Sequence, residues 1–113
     1  MELKVGIVGS RGLDFEIDES YLPMNTTLII SGGARGIDRK ARELALRKKI
    51  PILEIVPDYD LYGKQAPIKR NDIIISKSDI IIAFWDGKSS GTRYVINQCK
   101  KQNKKIKVHI INA

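Results

Sequence analysis

The stretch from Thr27 to Ala45 constrains the fold more than any other part of the chain. The apolar run Thr27-Leu28-Ile29-Ile30 leads without a gap into Ser31-Gly32-Gly33-Ala34-Arg35-Gly36, after which Ile37, Ala41, Leu44 and Ala45 recur at helical spacing. A buried strand, a glycine-rich turn and an amphipathic helix in that order make half of a β-α-β unit. On the polar face of the helix, Asp38 with Arg42 and Glu43 with Arg47 stand four residues apart, cations gather toward its end, and Pro51 stops it.

The same alternation runs along the rest of the chain. Leu3 to Val8 is apolar and β-branched and stops at Gly9, as a buried strand entering a tight turn does; Ile52 to Val56, before Pro57, reads as a third strand. Asp58 to Gly63 reads as a loop, and a short helix is expected from Pro67, a residue suited to a first helical turn. Asp79-Ile80-Ile81-Ile82-Ala83-Phe84-Trp85 is apolar nearly throughout, which predicts a strand covered on both faces in the middle of the sheet. Thr92, Val95, Ile96 and Cys99 mark the buried side of a last helix, and Ile106 to Ile111 a fifth strand. Strands alternating with helices throughout predict an α/β fold: one Rossmann-like three-layer domain over residues 1–113 with a five-stranded parallel sheet. A length of 113 residues agrees, since single domains commonly run to roughly 100–150 residues.

Composition excludes several classes. No apolar run approaches the roughly 20 residues of a membrane span, and the N-terminus lacks the charged-then-apolar pattern of a secretion signal, so a cytoplasmic protein without membrane contact is expected. The single cysteine, Cys99, rules out an internal disulfide, has no cysteine or histidine at metal-ligand spacing, and reads as a core residue. His109 has no carboxylate or nucleophile nearby in sequence to form a catalytic set. The net charge of +7 favours an anionic partner, although the lysines from Lys100 to Lys107 also suit a solvated helix end.

Three loops that follow the carboxyl ends of predicted strands carry the chemistry: Gly9-Ser10-Arg11-Gly12, Ser31 to Gly36, and Gly87-Lys88-Ser89-Ser90-Gly91-Thr92. A parallel sheet delivers all three to one edge, where ligands bind at the point at which the winding reverses. Glycines let the backbone approach an anion closely, hydroxyls add donors, and a helix N-terminus adds unpaired N–H groups. An arginine contact to phosphate, at about 1.5–3 kcal/mol, outweighs the helix dipole, at about 0.3–1 kcal/mol. Tight turns alone would explain one such loop; three together, two of them with arginine, favour a phosphate site. Neither common phosphate motif fits: a Walker A loop ending at Gly87-Lys88-Ser89 needs glycine where Ile82 stands, and the dinucleotide fingerprint needs glycine at Ser31.

The ordered motifs GSRG, SGGARGID, KRND and IIAFWDGKSSGT, which span most of the chain, resemble the SLOG superfamily and most closely its YspA-like branch. The resemblance implies a nucleotide-derived ligand, single-stranded nucleic acid as in DprA, or release of a base from a nucleotide as in the LOG phosphoribohydrolases. It also implies that Arg70 and Asn71 face the ligand. LOG enzymes carry a catalytic glutamate three residues after the threonine of their glycine-threonine pair; here Gly91-Thr92 is followed at that position by Val95, which cannot polarise water. Asp38, Asp72, Asp79 and Asp86 are the other carboxylates near the loops; each also suits a cap or turn, and none is assigned as catalytic.

The expectation is therefore a nucleotide-binding or sensing domain without a metal or resident cofactor, its oligomeric state left open and a homo-oligomer compatible with the sequence. Its expected contacts are Gly9, Ser10, Arg11, Ser31, Gly32, Gly33, Ala34, Arg35, Asp38, Arg70, Asn71, Ser89, Ser90, Gly91 and Thr92. Trp85, at the end of its strand, is expected either to stack on a base or to pack under a helix.

Overall fold

A computed structural model describes residues 2–112. Its elements in order are β1 (Leu3–Gly9), β2 (Thr26–Ser31), α1 (Ile37–Lys48), β3 (Ile52–Glu54), α2 (Tyr59–Tyr62), α3 (Ala66–Lys77), β4 (Ile80–Trp85), α4 (Ser90–Gln102) and β5 (Lys105–Ile110). The five strands form one parallel sheet in the order β3-β2-β1-β4-β5. The chain winds outward from β1 through β2 to β3, then returns to the other side of β1 for β4 and β5. The reversal lies between β1 and β4.

Side chains alternate across the sheet and make two cores. Val5, Ile7, Ile29, Ile82 and Phe84 face α1 and meet Ile37, Ala41 and Leu44. Val8, Ile30, Ile81 and Ala83 face α3 and α4 and meet Ile74, Ile75, Val95, Ile96 and Cys99. The three layers and the parallel sheet are those read from the periodicity, and Cys99 is a fully buried core residue.

Helices do not alternate with strands throughout. Between β1 and β2 the chain makes only a short 3-10 turn at Glu19–Tyr21, and residues 10–25 lie as a strap over the α1 side of the sheet. Leu13, Phe15 and Ile17 point inward at every second residue, a period that no helix can bury on one face. Phe15 and Tyr21 pack on Phe84, and the ring of His109 stacks on Phe84 with centroids 5.3 Å apart. Polar groups of α1 hold the strap: Lys40 meets Glu16 and lies 3.2 Å from Asp14, Arg47 donates to the Ile17 carbonyl at 2.8 Å, and Lys48 lies 2.7 Å from Glu19.

Three smaller differences concern position. β4 is an interior strand, but β1 is the central one, because β5 takes only one side of β4. β3 ends at Glu54 rather than Val56: Arg42 Nε and Nη2 hold the Glu54 carboxylate, at 2.9 Å each, and the Ile55 N–H makes one more bond to β2, to the Ser31 carbonyl at 2.8 Å, before the chain leaves the sheet. Within 58–63 the Asp58 carboxylate accepts the Leu61 N–H at 3.1 Å and nucleates the one-turn helix α2.

Candidate functional site

At the reversal point the β1 and β4 loops are stitched together. The Ser10 N–H donates to the Phe84 carbonyl at 3.1 Å, the Ser10 hydroxyl accepts from the Asp86 N–H at 3.2 Å, and it lies 2.8 Å from the Ser89 hydroxyl. The Asp86 carboxylate accepts the N–H groups of Lys88 and Ser89, both at 2.8 Å, and these bonds hold its pKa below the ordinary value. Ser89 is thus the residue before α4, yet its hydroxyl turns to Ser10 and does not cap the helix. The first N–H groups of α4, at Ser90, Gly91 and Thr92, are left without a side-chain cap at the edge of a cavity.

That cavity has a volume of about 670 Å³, within the range of small-molecule sites. The β1 loop forms one wall through Gly9, Ser10, Arg11 and Gly12, and the start of α4 forms another. The third comes from α3, whose Pro67, Arg70, Asn71 and Ile74 recur at i, i+3, i+4 and i+7 and so share one face. Val95, on the corresponding face of α4, also lines the cavity, so an apolar side chain occupies the position where LOG enzymes carry glutamate.

The β2 loop contributes through Gly32 and Ala34 and brings two buried charges together. Arg70 is 7% exposed; its Nη1 donates to the Gly32 carbonyl at 2.9 Å and its Nε to the Asn71 side-chain carbonyl at 2.8 Å. Asp38 is 8% exposed, and its Oδ2 accepts the Ala34 N–H at 3.1 Å. Any β-carbon on Gly32 would collide with Arg70 Nη1 and stand 2.9 Å from Asp38 Oδ2, so a side chain there would displace one or both of them from these positions. Gly36, at φ +72°, allows a second close approach, in which a β-carbon would lie 2.7 Å from the Ser10 carbonyl.

Burial raises the Asp38 carboxyl above its ordinary value; the Ala34 N–H, Arg70, Ser31 and Arg11 pull it down by less. Burial likewise lowers Arg70, and Asp38 partly offsets the effect. The two do not form an ion pair, since the Arg70 bonds are directed to Gly32 and Asn71. The cavity therefore presents an acceptor and a cation separately.

Of the residues singled out in the sequence, Gly9, Ser10, Arg11, Gly32, Ala34, Asp38, Arg70, Asn71, Ser89, Ser90, Gly91 and Thr92 come together around this cavity. Ser31, Gly33, Arg35 and Trp85 are not in its lining. Ser31 is buried beneath the loop and Arg35 is exposed. Trp85 shares the sheet face of Ile81 and Ala83, donates its indole N–H to the Ser89 carbonyl at 3.0 Å, and carries the Arg93 guanidinium 5.4 Å from its ring centroid. It props the loop that starts α4. The Ser31 to Gly36 loop differs from the expected anion cradle in one respect: its Ala34 N–H is already bonded to the chain's own carboxylate. The starts of α1 and α4 both lack a side-chain cap, but the first three residues of α4 line the cavity, whereas of the first turn of α1 only Asp38 does.

Pro67, Ile68 and Tyr94 also line the cavity and were not among the contacts expected from the sequence. The Tyr94 hydroxyl donates to Asp72 at 2.7 Å, joining α4 to α3. Extending the helical spacing from Arg70 back to Pro67, and from Gly91 to Tyr94, would have found two of them.

No protein-family model matches the chain, and no solved structure matches it. The chain is similar to the Gene 61 protein of Mycobacterium phage D29, with 29% identity over 101 residues that cover 84% of this chain and 78% of that protein. That name carries no ligand or activity.

Proposed function

We propose that this chain is a SLOG-like domain that binds a nucleotide-derived small molecule, with the ligand's phosphate at the N-terminus of α4. The observation that carries the reading is the uncapped start of α4, where backbone N–H groups and the hydroxyls of Ser90 and Thr92 meet Ser10, Ser89, Arg11 and Arg70 around one cavity. Donors and cations converge there, and a phosphate is the common group that accepts from all of them. Pro67, Ile68 and Tyr94 supply apolar surface for the remainder of the ligand.

Single-stranded nucleic acid draws less support, because the lysines from Lys100 to Lys105 lie at the C-terminal end of α4 and the start of β5, the opposite end from the cavity. Binding to nucleoside mono- and diphosphates, followed by calorimetry and thermal shift, tests the proposal. The expected result is saturable binding and a raised Tm for wild type, with affinity lost at least about tenfold in Arg70→Ala, where a charged hydrogen-bonding group is removed. No stabilisation by any nucleotide would overturn it.

A further inference from the structure

Asp38 is out of keeping with a phosphate site. It is the only buried carboxylate among the described residues, and it lines the same cavity as Arg11 and Arg70. When ionised it is an acceptor only, with room for about four hydrogen bonds on its two oxygens. The Ala34 N–H at 3.1 Å uses one place, the buried Ser31 hydroxyl beside the carboxylate can take a second, and no ion pair uses another, which leaves about two open. A buried carboxylate left short of donors is costly, so a bound molecule is expected to supply them.

The chemistry of those donors is limited by the neighbours. A second anion would be repelled by Asp38 itself, and a cationic group by Arg70 and Arg11, both close enough to act on the Asp38 charge. The donors must be neutral. Two adjacent hydroxyls match the two oxygens of one carboxylate, which is how an acidic side chain in other nucleotide-binding α/β domains takes a ribose. The Ala34 bond and the start of α1 fix the carboxylate in place, so this recognition would need no rearrangement.

We propose that Asp38 accepts hydrogen bonds from the vicinal hydroxyls of a ribose, so that the cavity selects ribonucleotides over deoxyribonucleotides. This rests on the phosphate-site reading above and adds the sugar to it. It sets the domain apart from a DNA-binding role, because a DNA strand has no 2′-hydroxyl and its internal 3′-oxygens are esterified.

Calorimetry of the full chain with matched pairs, AMP against dAMP and GMP against dGMP, tests the proposal without altering the protein. The deoxy form is expected to bind at least about tenfold more weakly, the loss of a hydrogen bond to a charged group. Asp38→Asn, which keeps an acceptor for Ala34, is expected to weaken the ribo form, which bonds through two hydroxyls, more than the deoxy form, which keeps only the 3′-hydroxyl, and so to narrow the gap. Equal affinity for ribo and deoxy forms would overturn the role of Asp38 while leaving the phosphate site standing, and so would a gap that is undiminished in Asp38→Asn. No binding of either form would overturn both.

Discussion

Because burial raises the Asp38 carboxyl, the unfolded chain gives up this proton at a lower pH than the folded chain does. As pH rises from the ordinary value of 3.8 through the folded value, the native state holds the extra proton and stability falls, then levels off. Asp38→Asn should therefore raise Tm at neutral pH, and its advantage should shrink as the pH drops through the folded pKa. Thermal melts of both proteins across that range check this; an unchanged difference at all pH values would count against it. Gly32 behaves in the opposite way. Gly32→Ala drives a β-carbon into the Arg70 guanidinium, the movable end of a long side chain at the cavity wall, and should cost about 1 kcal/mol in urea denaturation, the low end of the range for overpacking. It should also cost nucleotide affinity, since the guanidinium, once displaced, leaves the position in which it bonds to Gly32 and Asn71.

Among the elements, the strap of residues 10–25 replaces a helix, and its side chains do a helix's packing. Ile17 is 1% exposed between the sheet and α1, so Ile17→Ala should destabilise by about 2–5 kcal/mol, as deletion of a buried isoleucine does. A cost under about 1 kcal/mol in equilibrium unfolding would mean that the strap is not part of the cooperative core. The strap also marks where the sequence becomes hard to read. Runs such as Leu28 to Ile30 and Ile80 to Phe84 declare themselves as strands, and the spacing of Ile37, Ala41 and Leu44 declares a helix, because in each the period of burial is the period of the backbone. Leu13, Phe15 and Ile17 have a strand's period, but their segment pairs with no strand, so its covering role depends on tertiary contacts alone. The three loops were legible from their glycines, and Arg70 from its motif. Which face of the sheet Trp85 takes depends on its parity with Ile81 and Ala83, and the partner of Ala34 depends on a rotamer of Asp38; loop composition reports neither.

Across the whole molecule, charge is divided between two ends. α4 has 13 residues, so at about 1.5 Å per residue its ends lie roughly 20 Å apart, more than two screening lengths at physiological salt. Replacing Lys100, Lys101 and Lys105 with glutamine should thus change mononucleotide affinity by less than about twofold, whereas Arg11→Gln, in the cavity wall, should weaken it and flatten its dependence on salt. The strap begins at this wall. Ser10 and Arg11 line the cavity, Gly36 is pressed against both of their carbonyls, and the next residues carry Leu13 and Ile17 into the core. A molecule that grips Ser10 and Arg11 therefore clamps one end of a segment that covers its side of the sheet without a helical hydrogen-bond ladder. Occupancy should be legible far from the ligand, as slower amide hydrogen exchange through residues 11–17 and as resistance of that segment to protease.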